Sequence, residues 1–192
     1  MFESLRGQFL IAGKGLRDPN FYKTIVLLLE HGPGGALGLV VNRPTAVKVS
    51  AALGGQIKLP EQHDRLYVGG PVQSSALFII HNAAKLEANS HEIGAGLYVA
   101  TSPEALEEVV RSATVGADQE STALKFRLFS GCAGWGPGQL EGELGRADWH
   151  LRPADAELLF DADAHTLWDA LLRQAYDAQR LIAAGKGDPA WN

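Results

Sequence analysis

TIVLLLEHGPGGALGLVVN, from Thr24 to Asn42, decides the fold class. Thr24 to Glu30 is a continuous apolar run with β-branched residues at its start, which predicts a strand buried on both faces. His31, Gly32, Pro33, Gly34 and Gly35 supply turn residues, and Ala36 to Asn42 reads as the returning strand. Two apolar runs joined by so short a Gly/Pro segment form a β-hairpin, so the sheet has antiparallel pairing at its centre.

Further strands surround the hairpin. They are read at Gln8–Ala12, at Arg65–Val72 running into a turn, at Ala76–His81, at Gly96–Ser102 and at Ala123–Gly131. In the last of these, Leu124, Phe126 and Leu128 alternate with Lys125 and Arg127, the pattern of a strand with one wet face. Helices are fewer. Ser102, Pro103 and Glu104 form an N-cap, a proline at the first helical position and an acid in the first turn, opening a helix to about Arg111. Leu106, Val109 and Val110 are its inward residues. A short helix is expected over Val49–Ile57. A longer one carries Leu167, Leu171, Leu172, Ala175, Ala178 and Ile182 at helical spacing, with Asp161 or Asp163 as its cap and Gly185 beyond. Strands outnumber helices and the strand–helix alternation of a doubly wound sheet is missing, so the class is α+β.

The bulk properties limit the function. A chain of 192 residues with 46% hydrophobic content is one domain with a real core, with residues from about 185 onward expected to fray. Its 22 glycines are about 11% of the chain, against roughly 7% on average, and predict many tight turns. The single Cys132 permits no intrachain disulfide. With no secretory start and no run long enough to span a bilayer, the reading is a cytoplasmic protein without membrane contact. Net charge is −5: residues 1–96 hold nine Lys/Arg and seven Asp/Glu, residues 97–192 eight and fifteen. Nucleic-acid binding needs clustered cations that displace counterions. Neither half supplies a basic run, so direct DNA binding is not expected.

Chemistry concentrates in SGCAGWGPGQLEGEL, Ser130 to Leu144, read as a strand turning sharply into a helix that opens near Gly138 or Gln139. Gln139 and Glu143, at i and i+4, share a helical face. Leu140 and Leu144 take the packing face, and Glu141 is left to solvent. Cys132 reads as a small buried hydrophobe rather than a nucleophile. Of the histidines, His31 opens the hairpin turn and His81 ends a strand, while His63, His91, His150 and His165 stand in polar contexts. None makes an HxxxH or CxxC pair, so neither metal nor cofactor is expected. Gly69 and Gly70 follow a strand where backbone N–H groups can cradle an anion, but no phosphate-loop motif is complete. Asn42, Arg43 and Pro44 close the hairpin, where the Arg43 guanidinium can clamp an oxyanion. The site expected from these residues comprises His31, Asn42, Arg43, Gly69, Gly70, His81, Trp135, Gln139 and Glu143.

Taken together, FLIAGKGLRDPNFYKTIVLLLEHGPGGALGLVVNRP, VGGPV and AGWGPGQLEGEL followed by Trp149 resemble the YqgE/AlgH family of small bacterial proteins. The resemblance runs in order to about Trp168. Its motif positions are His31, Asn42, Arg43, Pro44, Gly69, Gly70, Pro71, His81, Gly134, Trp135, Gln139, Leu140 and Trp149. It implies a single α+β domain with a bifurcated, largely antiparallel sheet that includes a small closed barrel, with helices around it. It implies no reaction, ligand or catalytic residue, although the family name suggests transcriptional regulation of alginate synthesis. Two positions depart from the family pattern: Lys14 stands where a proline is common, and Cys132 where a tyrosine is common. The second counts against cysteine chemistry as a shared function. Three functions follow. A non-enzymatic binding or regulatory module would recognise a small anion or a partner's backbone. A small hydrolase would use His31 or His81 as general base. A direct DNA-binding protein lacks the cations it needs.

Overall fold

The computed structural model describes residues 3–52, 59, 64–84, 90–115 and 124–185. The decisive stretch is a hairpin of β2 (Ile25–Gly32) and β3 (Gly35–Val40), paired from Val26↔Val40 to Gly32↔Gly35. The ladder thus continues through His31↔Ala36, so His31 belongs to a strand and only Pro33 and Gly34 make the turn. A bulge at Leu29 shifts the register, and Ile25 to Leu29 are all buried, as the unbroken apolar run predicts.

β1 (Gln8–Ala12) pairs with β2 on one side and with β9 (Trp149–Pro153) on the other. β4 (Leu66–Val68), β5 (Val72–His81), β6 (His91–Gly94) and β7 (Leu97–Ala100) form the second half of the sheet. β8 (Phe126–Trp135) joins the halves: its first residues pair with β4 in parallel and β5 antiparallel, and its last residues pair with β3. The strand path runs β6-β7-β5-β8-β3-β2-β1-β9, with β4 branching off at β8. The sheet is therefore forked and largely antiparallel, and it curls into a half-barrel. Its seam is drawn together at Gly7, where a Cβ would lie 2.8 Å from the Ile93 carbonyl oxygen of β6. The neighbouring Arg6 guanidinium donates to the Glu92 carbonyl.

Among the described residues five helices lie round this sheet: α1 (Val49–Ala52), α2 (Pro103–Val115), α3 (Gln139–Gly145), α4 (Ala156–Phe160) and α5 (Leu167–Gly185). The α+β class read from the sequence is the class adopted. Ser102 caps α2 by accepting from Ala105 N–H, as expected, with Val109 and Val110 buried and Leu106 partly so. Of the two expected caps, Asp161 ends α4, and Asp163 accepts from His165 N–H in the turn that leads into α5. Leu167, Leu171 and Leu172 of α5 are buried, Ala175 is partly buried and Ala178 is exposed. The Trp168 indole locks α5 to the sheet by donating to the Ala12 carbonyl at 2.8 Å.

β8 corrects the expected wet face. Phe126, Arg127, Leu128 and Phe129 are all buried, because the strand lies between two apolar clusters. Phe126 and Leu128 face Val49, Ile79 and Val109, while Phe129 joins the main core. Alternation of polarity here marks two buried faces rather than one wet one. His150 is likewise mostly buried, in a strand the sequence reading left out. The remainder of the expected Val49–Ile57 helix, the Ile182 side chain, His63, Ala123 and the C-terminal tail lie outside the described residues.

Candidate functional site

The Ser130–Leu144 stretch is a strand as far as Trp135, a tight turn through Gly136, Pro137 and Gly138, and then α3. Gly138 makes the turn possible: its φ of 73° is left-handed, the region glycine enters without a Cβ clash. One carboxylate organises the turn. Glu143 Oε2 accepts from the Trp135 indole at 2.9 Å and from the Trp149 indole at 2.8 Å, and Oε1 accepts from the Gln139 amide at 3.0 Å. Gln139 in turn accepts from Gly136 N–H at 3.1 Å, closing the start of the helix. The shared face of Gln139 and Glu143 is therefore a closed hydrogen-bond network. Phe21 completes it on the apolar side, stacking on Trp135 at 5.8 Å and meeting Trp149 edge-on at 5.6 Å.

His31 joins this group from the hairpin. Its Nδ1 accepts from Leu5 N–H at 2.9 Å, so the proton sits on Nε2, which donates to Glu141 Oε1 at 3.1 Å. The ring is only 3% exposed, whereas the Glu141 side chain is 42% exposed, so Glu141 is the acceptor of a hydrogen bond from the ring rather than merely solvated. His31 and Trp135 also line an open depression at the hairpin tip with Glu30, Gly34, Ala36 and Leu37.

The other candidates lie apart from the turn. Asn42 ties the hairpin end to the preceding loop, accepting from Ile25 N–H and donating to the Lys23 carbonyl. The Arg43 guanidinium donates to the Pro19 and Tyr22 carbonyls near Asp18, and burial holds its pKa below the ordinary value. Gly69 and Gly70 are places of close backbone approach. A Cβ would lie 2.3 Å from the Gly131 oxygen at Gly69 and 2.2 Å from the Cys132 oxygen at Gly70. His81 is fully buried, stacked on Tyr98, with Nδ1 accepting from Ala83 N–H and Nε2 bonded to Ser90 Oγ. Burial lowers its pKa. Cys132 is 1% exposed and burial pushes its thiol up, away from the reactive thiolate. Among the described residues no three His, Cys, Asp or Glu side chains are grouped to hold a metal. No described helix is long and apolar enough to cross a membrane.

The AlgH-like family model matches residues 9–178, from β1 into α5. The chain belongs to the AlgH-like family. A UPF0301 protein of Ralstonia nicotianae is 41% identical over 175 residues, spanning 88% of this chain and 87% of the relative. One from Xanthomonas campestris is 38% identical over 169 residues, spanning 85% of each. The solution structure of AlgH from Pseudomonas aeruginosa aligns over 100% of both chains with a TM-score of 0.65 and 31% identity. A crystal structure from Corynebacterium diphtheriae aligns over 90% of this chain and 88% of its own with a TM-score of 0.68. At 22% identity the latter speaks to the fold alone.

In this AlgH-like chain, sequence reasoning missed two partners of the turn. Phe21 lies in the polar loop GKGLRDPNFYK, where its aromatic side chain was the only available signal. Glu141, left to solvent in the sequence reading, stands one helical turn from the turn's glycines and reaches His31. A third omission is Arg127, buried and stacked over the Tyr67 ring at 4.6 Å, which no local pattern announces.

Proposed function

We propose that this protein is a cytoplasmic recognition module that engages a protein partner, and thereby acts in regulation indirectly, through the face formed by the β2–β3 hairpin tip and the Gly136–Gly138 turn. One observation carries the reading: the polar side chains of the motif bond to one another, leaving exposed backbone at Pro33, Gly34, Gly136, Pro137 and Gly138 as the outward chemistry. A pre-formed, rigid surface of this kind suits recognition, because little ordering entropy opposes binding. A protein backbone fits it better than a small anion, since the residues lining the depression include Glu30 and no Lys or Arg. The hydrolase reading finds less support. Both ring nitrogens of His31 and of His81 are engaged, and a general base needs one within reach of its proton.

Site-specific photocrosslinking tests the reading. A photoreactive residue in place of Pro137 is expected to capture a discrete protein in cells expressing the chain, and unmodified chain in excess should displace it. The same group in place of the exposed Arg173 on α5 should capture none. Equal capture from both positions, or none from Pro137, contradicts the proposal. Salt-sensitive, sequence-selective binding of the purified protein to duplex DNA would likewise overturn the indirect role.

A further inference from the structure

At the opposite end of β8 from Trp135, a second cleft lies between β4, the start of β8 and the segment joining α4 to α5. Its walls include Arg65, Tyr67, Arg127, Asp161, Asp163 and His165. Arg127 is only 5% exposed, and a buried charge is costly unless a counter-charge meets it. Its own contacts are weak. Nη1 and Nη2 donate to the Val41 and Phe160 carbonyls at 3.4 and 3.3 Å, and the buried Nε has no hydrogen-bond partner among the described residues. The guanidinium forms no ion pair among the described residues.

The acids near it have their hydrogen bonds elsewhere, and Asp161 acts on the guanidinium only through space. Both oxygens of Asp161 are taken by Lys125 Nζ at 2.6 and 2.8 Å. Asp163 holds the turn before α5, accepting from His165 N–H and Thr166 Oγ1. Asp64, in the adjoining depression, is held by the backbone and hydroxyl of Ser50. On the cationic side, Arg65 and Lys48 are exposed and make no hydrogen bond or ion pair among the described residues, and Arg65 and His165 belong to both depressions. The cleft thus has a buried cationic floor, rim donors with no partner among the described residues and carboxylates that are already occupied.

The geometry points to a binding site for a small oxyanion, a phosphate or a carboxylate group, held by Arg65 and His165 at the rim above Arg127. A guanidinium offers planar paired donors that match either oxyanion. The site goes beyond the partner-binding face and is independent of it, since the two lie at opposite ends of β8.

The test is a pair of NMR titrations of the full chain, one with inorganic phosphate and one with succinate, each against sodium chloride at matched ionic strength. The readouts are the Arg127 Nε–H resonance and the backbone amides of residues 162–165. Saturable shifts confined to these signals with one or both anions are expected, and the more tightly bound anion tells phosphate from carboxylate recognition. Arg65→Gln, at an exposed position, should weaken that binding about tenfold with the fold intact. Arg127→Met should abolish it, and if that variant fails to fold, Arg65→Gln decides. Chloride giving the same shifts, binding unchanged in Arg65→Gln, or binding that persists in a folded Arg127→Met would each overturn the site.

Discussion

At the scale of single residues, Glu143 holds the motif together. Its carboxylate is the acceptor for two indole N–H groups whose tryptophans are 5% and 3% exposed. Glu143→Ala leaves both donors unsatisfied and should cost about 2–6 kcal/mol, given roughly 1–3 kcal/mol per buried orphaned group. Urea unfolding measures this. Glu143→Gln, which keeps one carbonyl oxygen for the indoles, should cost less. Titration gives a second prediction. His81 and His150 are both held below the ordinary value of 6.5 by burial, so the unfolded chain takes up their protons more readily than the folded one. Their contribution to stability is complete above that value and is lost as pH falls below it, until the folded-state pKa is reached. Urea midpoints at about pH 7.5 and about pH 5.5 should show the loss, and His81→Gln should reduce it by removing one of the two groups.

At the scale of elements, two glycines that look alike in sequence behave differently. Gly70 has φ 153° and a Cβ there would overlap the Cys132 carbonyl, so Gly70→Ala should prevent folding or cost about 3 kcal/mol or more. Gly138 has φ 73° with open space around it, so Gly138→Ala should cost only the left-handed strain of about 1–2 kcal/mol. Thermal melts of the two variants separate steric from conformational glycine. The same contrast explains what was legible in the sequence. The hairpin, the Ser102 cap and the i, i+4 pairing of Gln139 with Glu143 depend on neighbours in the chain, and all were readable. The burial of Arg127 was not, because what covers that face of β8 comes from distant segments. His150 failed to signal its strand for a related reason. β9 is short and is completed only by pairing with β1, about 140 residues earlier.

At the scale of the whole molecule, β8 is the common spine. One end carries the tryptophan turn and the other the Arg127 cleft, roughly 27 Å apart at about 3.4 Å per residue. The curled sheet, drawn together at Gly7 and locked to α5 by Trp168, fixes both ends in one frame. The motif residues that suggested chemistry in the sequence therefore read as framework, and the two proposed surfaces are what that framework presents: exposed backbone at one end, cations without a partner among the described residues at the other. The first proposed surface could be read from the sequence, because its glycines and tryptophan are contiguous. The second could not, because its residues come from β4, β8 and the α4–α5 segment. Hydrogen exchange at the Trp135 and Trp149 indole N–H groups tests the framework claim most directly. If Glu143 is committed to both indoles, their protons should exchange only through opening close to global unfolding, and Glu143→Ala should speed both together. Rapid exchange of either indole in the native protein would show a carboxylate free for ligand or catalysis, and would contradict the account.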